Sequence, residues 1–310
     1  MKSAGWPAIG ILVIPLTIAG CGGGSVSANQ RAGSSDRTAP PTEDHVPTIA
    51  AIPLQSSADA LTLPIEPYMY TSTQMHLQGA ALWTLESGCM AKTGFTLPPS
   101  GINLKAPDLP LMMMRYGPDS EVESKAGYHY KVQWIDTHRG AAPPVPNYSD
   151  AEKAALYGTP TRGAAPGSGG CAGEAKAKLT ADGAVYGAPD LPQQIQSQGY
   201  YESLSDPRVK SAFSQWSSCM KQAGYTYSDP VQAANDRKWS GINSQPAPDE
   251  IAVAQTDVRC KEQANVVGTW FAVESALEKE LMDKHAQELN TVKTGMDAET
   301  RLVASIISTG

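Results

Sequence analysis

The chain is poor in the groups on which recognisable active sites are built. Its five histidines are scattered, and no two of its five cysteines stand in a Cys-x-x-Cys pair. A structural zinc site of the usual Cys/His spacing is therefore not expected, and no metal or cofactor is read from the sequence. There is no His-Glu-x-x-His, no Gly-x-Ser-x-Gly and no phosphate-cradling Gly-x-x-x-x-Gly-Lys. The zincin, nucleophile-elbow and P-loop signatures are thus absent. Basic charge is also short, with 24 Lys and Arg against 31 Asp and Glu, a net charge of −7. That balance argues against nucleic acid as a partner. Beyond the first twenty residues no run is long and apolar enough to span a bilayer.

What is present starts at the N-terminus. Lys2 precedes an apolar stretch over residues 9–18, interrupted by Gly10, Pro15 and Thr17, and then comes Ile18-Ala-Gly-Cys21. The stretch is too short and broken for a membrane span and has the layout of a signal peptide. The small residues followed by cysteine resemble the bacterial lipobox. That resemblance implies cleavage after residue 20, acylation of Cys21 (diacylglycerol, palmitate) and membrane lipid as a partner. Two buried acyl chains would hold the protein on the extracytoplasmic face of the cell membrane. Residues 21–62, rich in Gly, Ser, Pro and Thr with few large apolar side chains, read as a disordered tether.

The remainder predicts a mainly α fold, disulfide-stapled and carrying long Gly/Pro-rich loops. It divides into a first helical and loop unit over 63–188 and a second over 189–310, the latter with a long C-terminal helix. Helices are expected over 72–93, stopped by Gly94, and over 119–126. Another opens at the Ser149-Asp-Ala-Glu152 capping box, and one continues from Cys171 to about 181. The alternation in Tyr128-His-Tyr-Lys-Val-Gln-Trp134 predicts a strand. Ser205-Asp206-Pro207 opens a helix ending at Gly224, and a short one starts at Asp229-Pro230. From about residue 250 the apolar positions recur at helical spacing as far as Gly295, which is expected to break the helix before a last weak one over 297–307. The alternating charges over 274–288 read as a solvated face.

Two segments align without gaps: Cys89-Met-Ala-Lys-Thr-Gly94-Phe95-Thr and Cys219-Met-Lys-Gln-Ala-Gly224-Tyr225-Thr. Each is followed by a further cysteine on a charged helical stretch, Cys171 and Cys260. Four cysteines after Cys21 allow three pairings. The repeat argues for Cys89–Cys171 and Cys219–Cys260, each copy closing its own helix–loop–helix. The pattern resembles a group of actinobacterial lipoproteins and secreted proteins of unassigned activity, which continue into a second cysteine as Ala254-Gln-Thr-Asp257-Val-Arg-Cys260-Lys261 does here. Arg115-Tyr-Gly117 and Gly127-Tyr128 also look like that group. The resemblance implies location and disulfides and supplies no chemistry.

Asp136 and His138 lie close to Trp134, yet no motif places an acid, base or nucleophile, and no catalytic residue is assigned. Tyr128, Tyr130, Trp134 and Trp239, aromatics in loops or near helix ends, are the ligand-binding candidates. Their competing role is to close a small core under irregular loops. The sequence points to a membrane-tethered, non-enzymatic binding or interaction module of the cell envelope, with an envelope protein or glycan as partner. The alternative is an envelope hydrolase without a recognisable motif.

Overall fold

Helix ends are where local sequence and structure meet most directly in this protein. A computed structural model describes residues 45–138, 146–159, 169–185, 187–239 and 245–309. Helix α1 (Ser72–Lys92) opens at Thr71: its hydroxyl accepts from Gln74 N–H at 3.2 Å, and the Gln74 side chain accepts from Thr71 N–H at 2.9 Å. At its far end Phe95 N–H donates to Met90 O at 3.0 Å and Gly94 N–H to Ala91 O at 3.2 Å. Helix α7 (Pro207–Gln222) ends with the same pair of bonds, Tyr225 to Met220 at 2.9 Å and Gly224 to Lys221 at 3.0 Å. Both glycines have positive φ, 87° and 91°, and both methionines are fully buried. The repeated Cys-Met-x-x-x-Gly-aromatic segment is therefore a Schellman stop, with its apolar contact, written twice.

Eleven α-helices and no strand occur among the described residues. The other helices are α2 (Glu121–Lys125), α3 (Tyr130–His138), α4 (Asp150–Tyr157), α5 (Gly170–Leu179), α6 (Asp190–Ser203), α8 (Pro230–Ala234), α9 (Pro248–Gln263), α10 (Val266–Lys284) and α11 (Ala286–Thr309). The expected strand over 128–134 is instead a 3₁₀ turn, Gly127–His129, running into α3. The alternating pattern had no neighbouring strand to pair with, so the helix, which satisfies its own backbone, takes its place.

The main core lies among α6, α7, α9 and α10. Trp216 and Trp270 are at most 1 % exposed there, and Trp270 meets Tyr116, Phe213 and Tyr200 at ring-centroid distances of 4.8, 5.0 and 5.3 Å. A smaller cluster of Met90, Leu97, Leu156 and Cys171 surrounds the first repeat. A third, of Ala81, Leu179 and Val303, joins α1 and α5 to α11. Residues 43–310 form a single compact unit. Residues of both sequence units contribute to the main core. Leu63, Ile65 and Tyr116 enter the main core, and α11 returns to cover α1, whose apolar face would otherwise meet water.

Four further expectations are corrected. Residues 45–62, expected in the tether, run as a strap along the helices. Asn265 donates from Nδ2 to Pro53 O at 2.9 Å and accepts from Gln55 N–H at Oδ1 at 3.1 Å, and Ala58 is 2 % exposed. A Cβ on Gly268 would stand 2.1 Å from Pro53 O, so the strap's path requires glycine there. The long helix from residue 250 is two helices, because Asn265 adopts a left-handed conformation (φ 45°) to reach the strap. Gly295 does not break α11. It lets Val185 approach, where a Cβ would meet Val185 Cγ2 at 2.4 Å. Finally, the charged face of α10 is only partly solvated, since Glu274 and Glu278 are fully buried.

Candidate functional site

Both disulfides have the pairing that the repeat predicts. Cys89–Cys171 and Cys219–Cys260 bring their Cα atoms to 5.5 and 5.6 Å, within the ordinary range. They close loops spanning 82 and 41 residues. In the chain-entropy picture each contributes about 4 kcal/mol, comparable with a large part of a domain's net stability of about 5–15 kcal/mol. Cys21 lies outside the described residues.

Two buried ionic groups tie the segments around residues 115–118 and 128 to α9 and α10. On α9, Asp257 accepts from Trp216 Nε1 at 2.9 Å, from the Tyr128 hydroxyl at 3.1 Å and from Lys261 Nζ at 2.9 Å. Lys261 also donates to Pro118 O at 2.8 Å. Burial raises the Asp257 carboxyl pKa, and Lys261 and the neutral donors oppose that rise. On α10, Glu274 accepts from Arg115, through Nε at 3.1 Å and a second guanidinium nitrogen, and from the Tyr116 hydroxyl at 2.7 Å. Arg115 lies over the Tyr200 ring at 4.6 Å. Two glycines make room for these groups. A Cβ on Gly117 would sit 2.8 Å from Lys261 Nζ, and one on Gly127 (φ 60°) only 2.4 Å from Glu250 Oε1. Glu250 in turn accepts from Tyr128 N–H and His129 Nδ1, both at 2.8 Å.

The four aromatic candidates separate into two pairs. Tyr128 stacks on Trp239 at 5.7 Å, and Trp239, 6 % exposed, donates from Nε1 to Ala233 O at 2.8 Å. Both pack on the main core. Tyr130 and Trp134 are half-buried on α3, where Trp134 stacks on His138 at 4.1 Å and His138 Nδ1 donates to Trp134 O at 2.7 Å. His138 is thereby tied to its own helix, while Asp136 faces solvent.

Composition and spacing did not single out the third grouping. Asp119 and Glu123, at the start of α2, meet Asp59 of the strap, and one carboxylate oxygen from each lies within 4.8 Å of the other two. Desolvation, followed by the neighbouring acids Asp119 and Asp59, pushes Glu123 up to about 7, and Asp119 is raised mainly by burial. Asp59 and Asp119 are sixty residues apart, and the only local sign was the dense acid of Asp119-Ser-Glu-Val-Glu123. Of the surface hollows, one of about 560 Å³ is lined by Asp119, Ser57, Ser120 and Arg259. Another, of about 620 Å³, is lined by Phe213, Val231, Lys210 and the serines 214, 217, 218 and 228.

No protein-family model matches the chain, and neither a curated protein nor a solved structure does.

Proposed function

We propose that the protein is a lipid-anchored extracytoplasmic module of the cell envelope that acts by binding rather than by catalysis. The observation that carries this reading is the division of its five cysteines. The four after Cys21 are used up in two disulfides, the state of proteins in an oxidising compartment. Cys21, in Ile18-Ala-Gly-Cys21, is thereby left without a cysteine partner and in the position of an acylation site. Among the described residues no helix is long and apolar enough to cross a membrane, so two acyl chains on Cys21 would supply the attachment. Asp257 and Glu274, buried carboxyls whose pKa values burial raises, are engaged in holding helices together, which supports a scaffold that presents surfaces. The hollow beside Phe213, lined by Leu204, Val231, Lys210, Asp229 and serines whose oxygens can still accept hydrogen bonds, mixes apolar and polar walls and suits a polar partner such as an envelope glycan.

The test is to express the full chain and its Cys21→Ala variant in a lipoprotein-processing bacterium and follow both by membrane fractionation and intact-mass spectrometry. The native chain should fractionate with membranes and carry a diacylated N-terminal cysteine, and the variant should be unprocessed or released. A native chain with an unmodified start at another residue would refute the anchor.

A further inference from the structure

Asp59, Asp119 and Glu123 come from two separate stretches of chain, yet present one oxygen each within 4.8 Å of the others. Acidic residues gather on many surfaces, so the cluster alone means little. What distinguishes this one is Asp119. Its residue is 4 % exposed, and its Oδ1 is buried with no hydrogen-bond partner. The rest of that side chain is firmly placed, because Oδ2 accepts from Ala58 N–H at 2.8 Å. Glu123, 2 % exposed, is held in turn by accepting from Asp119 N–H at 3.0 Å. A buried carboxylate oxygen left without a donor, on a side chain that sits among other carboxylates, is a costly arrangement unless a positive charge meets it. The nearby cation, Lys261, eases both acids through space, and Ser57 eases Asp119. Lys261 Nζ, however, is already bonded to Asp257 and to Pro118 O. Asp257 offsets Lys261, so Asp59, Asp119 and Glu123 are left as an acidic group, with Arg259 the other cation lining the adjoining hollow.

We propose that Asp59, Asp119 and Glu123 form a binding site for a divalent cation of calcium's kind. Three atoms all within 4.8 Å of one another share a centre at most about 2.8 Å from each, which admits the calcium–oxygen distance of about 2.3–2.6 Å. A site of several protein carboxylates suits calcium better than magnesium, which dehydrates reluctantly and keeps its waters. The donors are all hard oxygens, without the imidazole or thiolate that would select zinc or copper. Exposed Asp59 leaves a side open to solvent, and the hollow lined by Asp119 and Ser120 gives water access for the remaining coordination positions. Because Asp59 belongs to the strap and the two other ligands to the start of α2, the bound ion would fasten the N-terminal strap to the helical body. Extracytoplasmic calcium modules work at about 0.1–1 mM, and that is the affinity expected here.

This inference does not rest on the lipid anchor or on any partner. The test is calorimetric titration of the full, disulfide-bonded chain with calcium chloride and, separately, magnesium chloride. Parallel titrations use Asp59→Asn, at an exposed position, and Glu123→Gln. One calcium per chain with a Kd of about 0.1–1 mM is expected, with magnesium at least about tenfold weaker. Each variant should lose at least about tenfold in calcium affinity while its helical circular dichroism is unchanged, and calcium should raise the native melting temperature but not the variants'. Absence of saturable calcium binding up to about 10 mM would overturn the proposal. Unchanged binding by Asp59→Asn, or equal affinity for magnesium, would do the same.

Discussion

Lys261 and Asp257, one helical turn apart on α9, form an ion pair 2.9 Å long in which neither side chain is exposed. Such pairs are weak sources of net stability because desolvation offsets the attraction, but removing one partner strands the other. Here the pair also orders its surroundings: Asp257 anchors Trp216 of α7 and Tyr128 beside α3, and Lys261 anchors Pro118 O. Lys261→Met should therefore destabilise the fold by about 3–5 kcal/mol. Adding Asp257→Asn, which removes the stranded charge, should recover part of that loss. Urea unfolding of the single and double variants measures both, and additive losses would refute the coupling.

Glu278 gives the protein a pH dependence of definite sign. Burial, and then the Glu274 charge, raise its pKa from 4.5 to about 8, against the Ile65 N–H bond and Arg115, which lower it, with Glu66 adding to the rise. The folded state therefore holds a proton that the unfolded chain releases above about 4.5. Stability falls as pH rises between those two values and levels off above the higher. The melting temperature should drop by several degrees from pH 5.5 to pH 8.5, the scale expected for roughly 3 kcal/mol. Glu278→Gln should reduce that slope, leaving the smaller contribution of Glu123, raised to about 7, and be the more stable chain at pH 8.5. A variant with the same slope as the native protein would show that another group titrates.

Asn265 fixes the strap with two backbone hydrogen bonds at the cost of a left-handed conformation. Asn265→Ala loses both bonds and retains the unfavourable φ, so a loss of about 2–3 kcal/mol is expected. The strap should also become the first site of nicking in limited proteolysis, since unfastened extended backbone is what proteases take up. N-terminal sequencing of the fragments checks this, and unchanged cleavage within residues 45–62 would count against the clamp.

Replacing Cys219 and Cys260 together by serine removes the 41-residue closure and should cost about 4 kcal/mol. The helices should still form, because the caps at Asp206 and Gly224 do not depend on the bridge. Peptide mapping without reductant should recover Cys219 joined to Cys260 and Cys89 to Cys171. Any crossed peptide would contradict the fold.

Much of the architecture is written locally. The Thr71 and Ser149 capping boxes, the proline after Asp206 and the glycines at 94 and 224 each mark a helix end with a bond between near neighbours, and such bonds follow from sequence alone. The disulfide pairing was legible for a related reason, because the repeat showed which helix–loop–helix each cysteine belonged to.

What only the tertiary structure decided concerns residues whose partners are far away in the chain. Helical spacing puts Glu274 and Glu278 on the charged side of α10, but not that Arg115, Tyr116 and the Ile65 N–H would bury it. Low apolar content made residues 45–62 read as tether, whereas what holds them is mostly backbone bonding to Asn265 and Asp119, which composition does not register. The meeting of Asp59 with Asp119 and Glu123 is of the same kind. Periodicity says which side chains share a face. Which face finds a neighbour, and of what charge, depends on how the helices are stacked.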